Sequence, residues 1–148
     1  MKTQLSLISI LLSLALSIAA CSGQPAAAAG PEAGSVEDYA SLVEALRVAG
    51  ATVEPGDSIE QIFFAAMGQI IKVNGVDVQV FEYETAEAME ADAAPVAPDG
   101  GSIGTNMVTW VAAPHFYKAG RILVLHVGED EAILDLLEGV LGPQFAGR

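Results

Sequence analysis

Asn74-Gly75 sits between two runs in which apolar and polar residues alternate, and it constrains the fold more than any other dipeptide in the chain. A two-residue type I′ turn needs φ > 0 at both central positions, which Asn-Gly tolerates well. A two-residue loop also fixes the register. It sets Val73 opposite Val76, Lys72 opposite Asp77 and Ile71 opposite Val78. Ile71, Val73, Val76, Val78 and Val80 then share one face, and Lys72, Asp77 and Gln79 the other. One face is dry near the turn and the other wet. Phe81 and Tyr83 fall on the wet side, so that side is expected to be partly covered further along.

The segments around this hairpin read less sharply. Ser35-Val36-Glu37-Asp38 has the form of an N-cap with an acid three residues on. Tyr39, Leu42, Val43, Leu46 and Ala49 follow helical spacing up to Gly50, where a helix stops. Residues 51–54 are expected to form a short strand closed by Pro55-Gly56-Asp57. Residues 58–67 fit either a helix start or a strand, and extended or irregular structure is the expectation. Residues 85–94 are rich in Ala and Glu and predict a small helix. Residues 95–105, with two prolines and several glycines, predict a surface loop. Strands are expected over 107–113 and 121–127, joined through Pro114-His115-Phe116-Tyr117-Lys118-Ala119-Gly120. Glu129-Asp130-Glu131 then opens a last helix, where acids complement the dipole. Ile133, Leu136, Leu137, Val140 and Leu141 form its buried stripe, and Gly142-Pro143 ends it.

No strand–helix–strand repeat in this order is regular enough for a parallel sheet. The expected fold class is α+β: a single mostly antiparallel sheet of about five strands, with two or three helices packed on one face. Residues 36–148 are expected to be one domain.

The first 35 residues have a different texture. Met1 to Gln4 carry one Lys, and residues 5–20 are Leu, Ile, Ser or Ala throughout, 16 in all. That run is shorter than the roughly 20 residues a spanning helix needs, and with its charged start it has the form of a signal peptide. Ile18-Ala19-Ala20-Cys21 at its end resembles the lipobox of bacterial lipoproteins. The resemblance implies removal of residues 1–20, lipid on the Cys21 thiol, usually acylation of the new amine, and anchoring to the cell envelope on the extracytoplasmic side of a membrane. Two or three acyl chains anchor durably where one does not. Ser22 resembles the outer-membrane-sorted class of Gram-negative bacteria. Residues 22–35 hold no aromatic or large aliphatic side chain, and a flexible Ala/Pro/Gly tether is expected from Cys21 to Ser35. The GATVEPG, VNG..VQVFEY and HFYK.GR segments (starting at Gly50, Val73 and His115) also resemble small bacterial lipoproteins to which no activity is attached.

Charge and cysteine content exclude whole classes of function. The chain carries 19 Asp and Glu against 6 Lys and Arg, a net charge of −13. Such a surface repels phosphate backbones, so nucleic acid is not an expected partner. Cys21 is the only cysteine and lipid would consume it, which leaves neither a disulfide nor a thiolate nucleophile.

Several constellations invite a chemical reading. Gly100-Gly101-Ser102-Ile103-Gly104 matches the G-x-S-x-G elbow of serine hydrolases. That elbow needs a strand before it and a helix after it, whereas here a proline loop precedes and a strand is expected to follow. No acid lies between Ser102 and either histidine, so the hydrolase order Ser, acid, His fails. His115 and His126 are the only histidines. A two-residue turn at Ala119-Gly120 would place them on one face; a three-residue loop 118–120 would part them. A zinc site normally takes three or four protein ligands, and no third can be named, so no metal or cofactor is expected. Glu82, Glu84, Glu87, Glu90 and Asp92 crowd one segment without the spacing of a calcium loop, and a solvated helix face explains them. The most unusual stretch is 110–121, which holds the only Trp, two more aromatics, a His and two basic residues in a strongly acidic chain. Interfaces favour aromatics with Arg, so His115, Phe116, Tyr117, Lys118 and Arg121 are the candidate binding surface, against the plainer reading that Trp110 and Phe116 are core and that Tyr117 and Lys118 sit on an ordinary hairpin.

Two functional classes follow. The favoured one is a membrane-anchored, non-enzymatic binding module that meets an envelope protein or small ligand. The other is a small hydrolase-type or metal-dependent enzyme with a site built from scattered acids and His115/His126.

Overall fold

The computed structural model describes residues 36–148; the expected signal peptide, lipidated cysteine and tether, residues 1–35, lie outside them. The elements run α1 (Tyr39–Val48), β1 (Val53–Ile59), β2 (Gly68–Val73), β3 (Val76–Glu82), α2 (Ala86–Ala93), β4 (Ser102–Ile103), β5 (Asn106–Met107), β6 (Pro114–Ala119), β7 (Ile122–Val127), α3 (Glu131–Leu141) and β8 (Ala146–Gly147). The fold is α+β. Strands β1, β2, β3, β7, β6 and β8 form one antiparallel sheet in that spatial order, one strand more than expected, and β4 and β5 form a separate small hairpin.

The β2–β3 hairpin has the register read from its turn: Val73 pairs with Val76, Lys72 with Asp77 and Ile71 with Val78. Asn74 and Gly75 take φ of 51° and 85°, the left-handed values a type I′ turn requires. On the wet face Lys72 Nζ meets Asp77 Oδ1 at 2.7 Å.

Both faces of the sheet are covered. On the first, α1 and α3 lay Leu42, Leu46, Ile133, Leu137 and Val140 against Ile71, Val73, Val78, Val80, Tyr117, Ile122 and Val124. On the second, α2 and the loops around it bring Phe64, Met89, Ala93, Val96 and Ile103 onto Phe81, Phe116, Leu123 and Leu125. The helices therefore divide between the faces, and the expectation of helices on one face holds for α1 and α3 only. Phe81 and Tyr83 are the reason: buried aromatics on the back of β3 and just beyond it need a cover, and α2 with the 60–66 segment supplies one. Asp92 secures that cover. Its Oδ2 accepts hydrogen bonds from the Ala65 N–H at 2.6 Å and the Tyr83 hydroxyl at 3.0 Å.

Three boundaries differ from the sequence reading. The N-cap of α1 is Asp38, not Ser35; its carboxylate accepts from the Ser41 N–H at 2.9 Å, and Ser41 Oγ accepts from the Asp38 N–H. Strand β1 runs through Pro55-Gly56-Asp57 instead of closing there, with a register shift between Pro55 and Ser58. It is an edge strand, where a proline and a bulge are tolerated. The last correction moves a strand. Residues 107–113 pair only at Met107, and the strand that partners β7 is 114–119, the segment expected to be a connection. Its aromatic and β-forming residues fill the sheet, and Pro114 stands at its first position, where a missing N–H costs least. Residues 108–113 instead wrap the second core, with the Trp110 indole N–H donating to the Gly100 carbonyl at 2.7 Å.

Candidate functional site

The β6–β7 hairpin turns at Gly120-Arg121, one residue later than the two-residue turn expected. Gly120 has φ of +50°, and an added Cβ would overlap the Glu37 backbone, so a glycine is required on two counts. This turn sets His115 directly opposite His126. Strand alternation puts both on the face shared with Tyr117 and Val124, beneath the start of α3. The two histidines share a face, as the two-residue alternative required.

The histidine pair is buried, with exposures of 5% and 2%. Its ring centres lie 6.3 Å apart with planes inclined by 22°. Each Nδ1 has a partner on the outer flank. His126 Nδ1 lies 3.2 Å from the Asp77 carbonyl oxygen on β3, which can only accept, so that nitrogen carries the proton. His115 Nδ1 lies 2.7 Å from Gln144 Oε1, between α3 and β8, and donates in the same way. Both Nε2 atoms are buried, and neither has a hydrogen-bond partner among the described residues. Burial holds the His126 pKa below the ordinary imidazole value, the Asp77 carbonyl opposes this, and the neighbouring His115 adds to it.

A cleft opens beside the pair. It measures about 670 Å³ and lies between α3, residues 108–114 and the chain's end. Trp110, Pro114, His115 and Leu134 supply its apolar walls, while Glu129, Glu131 and Arg148 supply charge. A second hollow of about 390 Å³ shares His115, Leu134 and Arg148 and continues past Tyr117 and Gln144. Mixed apolar walls with a few polar groups are the usual character of a small-ligand site.

The five candidate surface residues do not form one surface. Phe116 and Tyr117 are 0% and 2% exposed, on opposite faces, and so leave the expected binding tip. The strand shift is the cause, because it places them inside the sheet and not in the loop. His115 is buried but borders the cleft. Lys118 pairs with Glu90 at 2.6 Å and lies over the Phe145 ring; Arg121 pairs with Glu82 at 2.7 Å and reaches the Tyr83 carbonyl. Both cations are engaged at the far end of β6 from the cleft. Ser102 lies in the short strand β4 and is followed by a hairpin turn, not by a helix. Among the described residues, no group of three or more His, Cys, Asp or Glu side chains is placed to hold a metal ion.

Leu134, Gln144 and Arg148 were not singled out by sequence. Leu134 is an ordinary position of an amphipathic helix, and Gln144 gains its role only because the chain doubles back after Pro143. Arg148 carried the one usable signal, as a rare cation in an acidic chain.

Comparison with protein-family models, with curated proteins and with solved structures finds no match.

Proposed function

We propose that the chain is an exported lipoprotein, cut before Cys21 and held by lipid on the extracytoplasmic side of a membrane, whose domain is a non-enzymatic binding module. The observation that carries the binding half is the cleft walled by Trp110, Pro114, His115 and Leu134. Its position suits an anchored receptor. The chain enters the domain at Val36 and Glu37, where the Glu37 carbonyl accepts from the Arg121 N–H at 2.9 Å, beside the β6–β7 turn. The cleft lies at the other end of β6, roughly 17 Å away at strand rise. A tether from Cys21 would therefore leave the cleft opening away from the lipid. An acid–base role for the histidines is disfavoured, because a general base must reach its substrate's proton and both Nε2 atoms are buried.

Two measurements test the two halves. Cys21→Ala should abolish fatty-acid labelling and release the protein from membranes or leave an uncleaved precursor; labelling that survives removes the anchor from the proposal. Leu134→Glu places a charge on the cleft wall at a half-exposed position. It should abolish crosslinking of the protein to its partner in intact envelopes while the melting temperature stays within a few degrees. Undiminished crosslinking would move the binding surface elsewhere.

A further inference from the structure

Arg47 is the one Lys or Arg in 36–148 without a carboxylate partner among the described residues. With 18 acids in the same span, that is not what numbers alone would give. Glu44 lies one turn back on α1 and makes no ion pair with it. Glu54 sits opposite Lys72, and strand alternation turns it to the other face of the sheet. Arg47 is engaged by the backbone instead. Its Nη2–H donates to the Val53 carbonyl at 3.3 Å, across the gap between α1 and β1. A guanidinium carries five N–H donors in a fixed fork and no acceptor, so this bond orients the fork and leaves most of its donors free.

The gap is a hollow of about 350 Å³, lined by Tyr39, Ala40, Val43, Arg47, Val53 and Pro55. Its origin is in the sequence. Leu42 and Leu46 seat α1 on the first core, against Ile71 and Val73. Tyr39, Ala40, Val43 and Arg47 stand at i, i+1, i+4 and i+8, on one flank of that helix. On β1, Val53 and Pro55 pair with Val73 and Ile71, so they lie on the sheet face that α1 covers. β1 is the edge of the sheet, and no further strand closes this side. Tyr39 and Val53 pack against the first core and are only partly buried. The result is a hollow with apolar walls and one charge. That charge is positive, and none of the 18 acids is in the lining.

Apolar walls with a single well-placed polar group are the character of a small-ligand site, and the volume is at the lower end of the usual range of about 300–1,000 Å³. A carboxylate matches the guanidinium fork, with two parallel N–H···O bonds. The chain's own charge limits the choice further. A net charge of −13 repels anions, and it repels a dianion about twice as strongly as a monoanion while the hollow offers each the same single cation. We propose that the α1–β1 hollow binds a small monocarboxylate with an apolar body, the carboxylate on Arg47 and the body against Tyr39, Val43, Val53 and Pro55. This site is at the β1 edge of the sheet, with five strands between it and the β8 edge beside the histidine cleft. It depends neither on that cleft nor on lipid at Cys21.

The test uses the full chain and a photoreactive diazirine analogue of octanoic acid, with the matching diazirine alcohol as the uncharged probe. Labelled residues are located by mass spectrometry. Labelling by the acid should saturate at one probe per chain, fall within residues 39–55, be displaced by octanoate, and be at least about tenfold tighter than labelling by the alcohol. Arg47→Gln is a change at an exposed position. It should weaken binding of the acid at least about tenfold and leave binding of the alcohol as it was. Ala40→Trp fills the hollow with the guanidinium still in place, and it should abolish labelling by both probes. Melting temperatures of the two variants check that each is folded. Equal binding of acid and alcohol, or undiminished binding of the acid by Arg47→Gln, would remove the carboxylate from the proposal. Labelling that never saturates, or that is confined to the Trp110 cleft, would overturn the site itself.

Discussion

His126 shows how one buried ring couples the fold to acidity. Burial depresses its pKa, so the folded state gives up its proton more readily than the unfolded chain, whose histidines titrate near 6.5. Above that value both states are neutral and no difference arises. As pH falls through about 6.5 the unfolded state binds the proton first and stability drops, until the folded ring also protonates. The measured fall in melting temperature between about pH 7.5 and pH 5.5 should be smaller in His126→Gln than in the wild type. Equal slopes would mean that the ring titrates freely in the folded state. Tyr117 carries the second residue-scale prediction. With 2% exposure it lies in the first core, and burial raises its hydroxyl pKa, followed by Glu138 and Asp135. Tyr117→Ala should cost roughly 3–5 kcal/mol in chemical denaturation, and Tyr117→Phe far less. A small cost for the alanine would restore Tyr117 to the surface. Neither role was legible beforehand, since each depends on register. Moving the β6–β7 turn by one residue sets His115 opposite His126 in place of Val124, while 115, 117, 124 and 126 stay on one face.

At the scale of the element, legibility followed how local the determinants are. The β2–β3 register was readable because Asn74-Gly75 carries its own φ preference and two residues cannot close a hairpin in many ways. Gly75→Val should therefore destabilise by about 1–3 kcal/mol, read as a lowered melting temperature with the same unfolding cooperativity. An unchanged midpoint would show that the turn does not need its left-handed residue. Strand β6 was not readable for the opposite reason. Residues 107–113 and 114–119 have similar strand propensity, and the choice between them is tertiary. Trp110 finds the Gly100 carbonyl and makes T-shaped contacts with Phe63 and Phe116, at ring-centre distances of 6.1 and 5.9 Å, which holds 108–113 against the second core. The second core itself was hinted at only by Phe81 and Tyr83. Phe64, Met89, Val96 and Ile103, which help to cover it, share no periodic stripe with them.

Charge acts on the molecule as a whole. Four of the five Lys and Arg in 36–148 already meet carboxylates: Lys72 with Asp77, Lys118 with Glu90, Arg121 with Asp38 and Glu82, and Arg148 with Asp99. These pairs lie at the surface, where such contacts contribute about 0–1 kcal/mol each. Most of the 18 acids in 36–148 have no such partner among the described residues, and folding draws them together. Self-repulsion of that kind weakens the compact state and is screened by salt, the Debye length shrinking from about 30 Å at 0.01 M to about 8 Å at 0.15 M. The two effects oppose one another, since screening loosens attractive pairs as well as repulsive ones. With few cations and many acids, repulsion is the larger. Sodium chloride raised from about 0.01 M to 0.15 M should therefore increase the melting temperature of the domain. A fall would show that the Lys118–Glu90 and Arg121–Glu82 pairs, which tie β6–β7 to α2 and to the end of β3, contribute more than the surrounding acids cost. Lys118→Gln separates the cases: under net repulsion it removes one compensating charge, lowers stability at low salt, and makes the rise with salt steeper.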